Sequence, residues 1–304
     1  MPPVSSTWAS GPPVGTDGPL KRLRPAGRDI EPLGKLEKGA GTMHAPSKHL
    51  TESFLADCHA NLIEASRIVA RARPEGRVEE EWGVVRVASG IPRAGSNTVF
   101  VTEIPDDPVD LIARSKRFMQ AAGVSHWRVV APESVAPALS SVPEEAGLIV
   151  RNKVPGLVLV PIPPRVPSTP PELRIRPATN PALWEQMLRT GFESLLGAAP
   201  ENPAKMFSFE LSKMTRGYLG YVGGLPAATS WEVPYRGVCG IHLVGTLPPF
   251  RRRGFGTAMT WRATVDSRKD GCRAAFLQAS DMGLSAYTRM GFRKALDYID
   301  WRAA

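Results

Sequence analysis

The chain has 304 residues, a length that suggests two domains more than one. Hydrophobic residues make up 42% of it, enough for a packed core, yet Lys, Arg and Pro break the longest apolar stretches, so no segment reads as a membrane span. The formal net charge of +9 admits a nucleic-acid partner, but the one dense basic cluster is Arg251 to Arg253. The N-terminus shows no apolar core of a secretory signal. Three widely spaced cysteines, Cys58, Cys239 and Cys272, suit a reducing, cytoplasmic setting and give no metal spacing.

Residues 1–45 carry many Pro and Gly, several basic side chains and no periodicity, and are expected to be a disordered extension, with Met43 a candidate start. The first ordered part is expected over 50–163, as an α/β structural domain. Phe54, Leu55, Cys58, Leu62, Ile63, Ile68 and Val69 are spaced as one face of a helix between Leu50 and Arg73. Trp82 to Val87 and Thr98 to Ile104 read as strands, Val109 to Ala122 as a helix, and Trp127 to Val130 and Leu157 to Ile162 as strands. The prolines over 164–171 predict a linker, since they neither pair in a central sheet nor continue a helix.

The second part is expected over 172–304. Leu173 to Ile175 begins a strand, and Trp184 to Leu196 reads as a helix. Tyr218 to Val222 and Ala227 to Val233 flank Gly223-Gly224 as a hairpin. Cys239 to Thr246 is the next strand, Gly256 to about Lys269 a helix, Ala274 to Ala279 a strand, and Phe292 to Trp301 is expected to close the sheet. The two parts read as a diverged repeat. Gly123, a strand, a helical run and Ala146-Gly147-Leu148 in the first match Gly271, a strand, a helical run and Met290-Gly291-Phe292 in the second.

The stretch Thr246-Leu247-Pro248-Pro249-Phe250-Arg251-Arg252-Arg253-Gly254-Phe255-Gly256-Thr257 joins a strand to a helix through a Gly-rich turn. Such a turn leaves backbone N–H groups and the positive helix end facing outward, which makes an anion site. Gly254 and Gly256 let the backbone approach a phosphate closely. The three arginines point to a diphosphate, which accounts for the basic cluster and disfavours nucleic acid. In the first part the corresponding positions hold Glu103, Asp106 and Asp107, which would repel a diphosphate.

Downstream lies Ser280-Asp281-Met282-Gly283-Leu284-Ser285-Ala286-Tyr287-Thr288-Arg289-Met290-Gly291-Phe292. With this second motif the chain resembles the GNAT superfamily of acyl-CoA-dependent N-acyltransferases. Arg251-x-x-Gly254-x-Gly256 is similar to that family's pyrophosphate loop, and Tyr287 and Gly291-Phe292 fall where it often has Tyr and Gly-Phe. The whole resembles tandem GNAT proteins with one degenerate half. The fold implied is α/β: a mixed, mostly antiparallel central sheet flanked by helices, in two tandem halves with the C-terminal one intact.

The resemblance implies acetyl-CoA as cosubstrate, no metal, and transfer to a primary amine by direct attack in a ternary complex. The acceptor is a small-molecule or protein amine, and no membrane partner is implied. The alternative is a sensor or scaffold that holds acyl-CoA without turnover. Arg251, Arg252, Arg253, Gly254, Phe255, Gly256 and Thr257 are the candidate cofactor loop. Val244, Gly245 and Thr246 supply backbone N–H groups to the thioester on a strand that the family implies splays from the next. Gly245 either widens an acyl pocket or eases packing. Tyr287 is the candidate general acid, or a core tyrosine. Ser280 either bonds the pantetheine or caps a helix. His242 shares a face with Val244 and Thr246 by strand alternation and is a candidate base, or a half-buried histidine. Glu232 is a second base candidate, and Trp231 and Tyr235 either line an acceptor pocket or belong to the core.

Overall fold

The computed structural model describes residues 50–302. The expected disordered extension, with Met43, His44 and His49, lies outside them. The first half opens with α1 (Glu52–Arg71), which starts where the Thr51 hydroxyl accepts the Phe54 N–H at 3.2 Å. Its predicted stripe is buried at Cys58, Leu62, Ile63, Ile68 and Val69. β1 (Arg77–Glu81) and β2 (Val84–Ala88) then form a hairpin. Trp82-Gly83, expected inside a strand, is instead its turn, and Trp82 is exposed. The sequence hides β1 because it is an edge strand whose Glu79, Glu80 and Glu81 give no apolar alternation.

β3 (Thr98–Val101) leads to α2 (Pro108–Ala121), then β4 (Arg128–Pro132), the short α3 (Ala136–Leu139) and α4 (Val142–Glu145), and β5 (Val150–Leu159). β5 begins well before the predicted Leu157, because pairing with another strand rather than apolar side chains carries its first residues. Residues 160–173 form no strand or helix, but Val166 packs on the core of the second half.

That half runs β6 (Arg174–Pro177), α5 (Pro181–Leu196), α6 (Pro203–Met206), β7 (Arg216–Val222), β8 (Leu225–Tyr235), β9 (Val238–Thr246), α7 (Phe255–Asp266), β10 (Ala274–Gln278), α8 (Asp281–Arg289) and β11 (Arg293–Arg302). Asn180 caps α5 by accepting from the Leu183 N–H at 2.9 Å, Pro181 fills its first turn, and Gly197 ends it in the left-handed region.

All eleven strands among the described residues form one sheet, in the order β1-β2-β3-β4-β11-β5-β10-β9-β8-β7-β6. Read inward from either side, the halves repeat. β1-β2-β3 and β7-β8-β9 are antiparallel, and β3–β4 and β9–β10 are parallel. The final strands are exchanged. β5 of the first half lies against β10, β11 of the second lies against β4, and the two pair antiparallel at the centre. β11, expected to close the sheet, does so in its middle. The place beside β10 is already taken, with Ala275 opposite Leu159. The described residues fall in a single compact unit.

Helices pack on both faces. α7 covers β7–β9 through Phe255, Met259 and Ala263, and α5 covers the opposite face through Trp184, Met187 and Leu188. α1 reaches from the first half across to β8 and β9. There the buried Asn61 amide donates to the carbonyls of Val233 and Val238, both at 2.9 Å.

Candidate functional site

The longer helices α1, α2, α5 and α8 each begin with a side-chain cap, from Thr51, Asp107, Asn180 and Ser280. α7 has none. Its N-cap is Gly254 in the left-handed region, at φ 78°, so the first-turn N–H groups have no side-chain acceptor. A Cβ on Gly256 would meet Thr246 Oγ1 only at 3.5 Å, so the turn folds closely onto the end of β9. Phe255 anchors it in the core. At the pseudo-equivalent place in the first half, Asp107 accepts the Asp110 N–H at 2.9 Å, so the chain's own carboxylate occupies the α2 start.

The three arginines divide. Arg251 turns inward, donating to the carbonyls of Thr246 at 3.0 Å and Ser194 at 2.9 Å, and so brackets the turn to β9 and α5. Arg253 lies over the Phe255 ring at 4.8 Å and pairs with Glu172 at 3.2 Å. Arg252 is exposed with φ 61° and has no ion pair among the described residues. A cavity of about 410 Å³ lies beside the turn, between Thr257 and Trp261 of α7, Arg289 at the end of α8 and Met290 just beyond it. Arg165 and Pro167 close it from residues 160–173. Arg165 and Arg289 have no acidic partner among the described residues, and sequence reasoning missed both in this role. Arg289 stood inside the recognised motif, whereas nothing in the proline run marked Arg165.

β9 pairs with β10 only from Val238 to Gly240, yet runs on to Thr246. From Ile241 onward the two strands part, as the splay expectation required. On the other side the register with β8 jumps: His242 faces Trp231 and Gly245 faces Thr229. Leu243 and Val244 thus fall in neither register, and Leu243 sits at φ 49°, a bulge in the only stretch where β9 has one neighbour. The Thr229 hydroxyl holds the Leu243 carbonyl at 2.8 Å.

The bulge changes the faces. Thr246 pairs with Ala228 and Val244 packs on the core under α7, whereas His242 and Gly245 face α1 and α5. The expectation that His242 shares a face with Val244 and Thr246 is therefore corrected, because one extra residue inverts strand alternation. His242 packs its ring 5.6 Å from Trp231, and its Nε2 is sealed from solvent without a partner among the described residues. Burial pulls its pKa down to about 4. Its Nε2 and the equally unpartnered Asn61 Oδ1 both crowd the position a Cβ on Gly240 would take, at 2.8 and 2.0 Å. At Gly245 the packing reading holds: a Cβ there would stand 1.7 Å from Ser194 Oγ.

Ser280 caps α8, accepting the Gly283 N–H at 3.3 Å. Tyr287 is half-buried between Phe292, at 5.9 Å, and Thr260 of α7. Burial raises its pKa above the ordinary phenol value, against a hydrogen bond with Thr260 that lowers it, so the hydroxyl keeps its proton at neutral pH. Glu232 lies at the far end of α7, fully buried, bonded to Arg216 and to the Tyr218 hydroxyl at 3.2 Å. Burial pushes it up to about 7 in spite of Arg216. Trp231 is core, donating to Thr215 at 2.8 Å, and Tyr235 carries Arg236 over its ring. Among the described residues no group of three or more His, Cys, Asp or Glu could hold a metal ion, and no helix is long and apolar enough to cross a membrane.

A gap opened between two parallel strands, beside a bare helix start, belongs to a GNAT-like fold. The family model described as acetyltransferase (GNAT) family matches residues 186–292, less than half of the chain, and that stretch is a GNAT domain. No curated protein matches the chain in sequence. Among solved structures, the chain is similar to a GCN5-related N-acetyltransferase from Kribbella flavida, at 20% identity and TM-score 0.62 over 81% of this chain and 95% of that one. A GCN5-related N-acetyltransferase from Sphaerobacter thermophilus is 17% identical, with TM-score 0.52 over 81% and 91%. A tandem GNAT protein from the clavulanic acid biosynthesis pathway is 15% identical, with TM-score 0.51 over 78% and 87%. These likenesses are of fold.

Proposed function

We propose that the chain is an acetyl-CoA-dependent N-acetyltransferase working by direct attack in a ternary complex. The observation that carries this is the parting of β9 from β10 at Gly240, which leaves the bulge at Leu243-Val244 facing the gap. The diphosphate sits on the N–H groups of Gly254 to Thr257, with Arg252 beside it and Arg165 and Arg289 around the adjoining cavity. Arg251 serves by holding the turn in shape. Arg253 is available where Glu172 lets go. The pantetheine follows the gap, and backbone N–H groups at Val244 to Thr246 polarise the thioester carbonyl, a kind of donor worth about 3 kcal/mol in the transition state.

The amine nitrogen attacks the carbonyl carbon, a C–N bond forms and the C–S bond breaks. Tyr287 gives its proton to the leaving sulfur, and the nitrogen's proton passes to solvent. We do not route that proton through His242, whose Nε2 is sealed and points toward Gly240 and Asn61.

The test is calorimetric titration with acetyl-CoA, paired with CoA release over a panel of amines. Gly256→Glu places a carboxylate at the helix start where the nearest atom is 3.5 Å away, so it should fold and lose binding. Tyr287→Phe should keep binding and lose about 10²–10³ in kcat. Wild-type binding without turnover on any amine would favour the sensor reading instead. Absence of wild-type binding would end both.

A further inference from the structure

The cavity between α7 and α8 has a third wall, which comes from outside the GNAT stretch of 186–292. Pro163, Arg165 and Pro167, in the segment joining the two halves, form it. That segment is tied at both ends. The Ile162 N–H donates to the Arg273 carbonyl at 3.0 Å, and the Leu173 N–H to the Pro170 carbonyl at 2.9 Å, with Ile162 and Leu173 buried. Between the ties Val166 packs on the core. Pro170 Cγ comes within 3.8 Å of the place a Cβ on Gly254 would take, and Glu172 pairs with Arg253, so the far end is moored on the turn itself. Pro163, Pro164 and Pro167 each fix a backbone angle, which leaves the course between the ties little freedom to lose.

The other walls follow from helical spacing. Thr257 and Trp261 stand one turn apart on α7, and Ala286, Arg289 and Met290 share a face at the end of α8. None of the lining residues is acidic. Arg253 and Arg262 nearby each have a carboxylate, from Glu172 and Asp266. Arg165 and Arg289 have none among the described residues, so two guanidiniums border one cavity without a counter-charge. Such a pair repels unless an anion lies between its members.

The cavity starts at Thr257, the last residue of the turn that seats the diphosphate in the reading above. A group lying in the cavity is therefore one that the diphosphate carries on its far side. In CoA that side holds a ribose, and the ribose bears a phosphate on its 3′ oxygen. A phosphate monoester has the charge and the oxygen geometry for a guanidinium's paired N–H donors.

We propose that Arg165, together with Arg289, reads this 3′-phosphate, so that the segment joining the halves selects CoA over carriers that lack it. The inference rests on the acetyltransferase reading above. Arg165 is the specificity-determining residue for the cosubstrate. Arg252 stays with the diphosphate, which both kinds of carrier share.

The experiment is calorimetric titration with acetyl-CoA and with acetyl-dephospho-CoA, which lacks only the 3′-phosphate. It uses wild type, Arg165→Gln, Arg165→Lys, Arg289→Gln and Arg252→Gln at one salt concentration. Wild type should bind acetyl-CoA about 10- to 100-fold more tightly than the dephospho form. Arg165→Gln and Arg289→Gln should each lose most of that preference by weakening acetyl-CoA alone, and Arg165→Lys should recover part of it. Both arginines are exposed, so the variants should fold, and unchanged acetyl-dephospho-CoA binding shows that they have. Arg252→Gln should weaken both ligands alike. Equal wild-type affinities, a preference that survives in Arg165→Gln, a loss in that variant shared by both ligands, or a preference erased by Arg252→Gln would overturn the assignment. Binding of neither ligand to wild type would overturn the acetyltransferase reading as well.

Discussion

His242 shows how one residue's chemistry follows from its surroundings. Burial holds it neutral down to about 4, and it does the same for His59, which stacks on Tyr298 with Nδ1 3.0 Å from the hydroxyl. Both rings would take a proton near pH 6.5 in the unfolded chain. Between about 6.5 and 4 the unfolded state therefore binds more protons, and these rings make stability fall as the pH falls. Glu232, raised to about 7 from its ordinary 4.5, works in the opposite sense over its own window, since its stabilising proton is lost as the pH rises. The difference between wild type and His242→Gln isolates the ring. Unfolding free energies from urea titrations should converge as pH drops from 6.5 to 4, by on the order of 1–3 kcal/mol. Parallel curves would mean the ring already titrates normally. The sequence marked His242 but misplaced its side chain, because alternation assumes a regular strand. Nothing in Leu243-Val244 announces a bulge, which packs against Gly191 and Ser194 on another element.

At the scale of elements, α5 and β9 meet more closely than side chains allow. Gly191 lies under Leu243, and Gly245 under Ser194. Gly245→Val should cost about 1–3 kcal/mol by overpacking and should also lower kcat, because α5 backs the bulge. A denaturant midpoint unchanged from wild type would show that α5 can retreat freely. α5 was legible, though read from Trp184 where it starts at Pro181, and Arg251-x-x-Gly254-x-Gly256 gave the turn before α7. β1 was not legible because its glutamates give no apolar alternation, and the start of β5 was not because its polar residues are held by β11, distant in sequence. Residues 164–171 read as a linker, yet Arg165 and Pro167 within them wall the cavity between α7 and α8.

For the whole molecule, the exchange of β5 and β11 binds the halves into one cooperative structure. Fragments 50–163 and 172–304 would each lack the strand that completes its sheet, so neither should fold alone, and mixing them should restore the thermal transition. The intact chain should unfold in one step, with equal calorimetric and van't Hoff enthalpies. Two separate transitions would refute the coupling. The repeat was legible in the paired Gly-strand-helix patterns. The exchange was not, since Leu157 to Ile162 and Phe292 to Trp301 carry no mark of which half they join. The exchange also sets an order of events during synthesis. β4 waits for a neighbour that the ribosome makes after every other described strand, since Arg128 pairs with Arg302. β5 meets β10 only once most of the chain has emerged. The first half must therefore leave the exit tunnel with an open sheet edge, and its folding is bound to wait until β11 has been made.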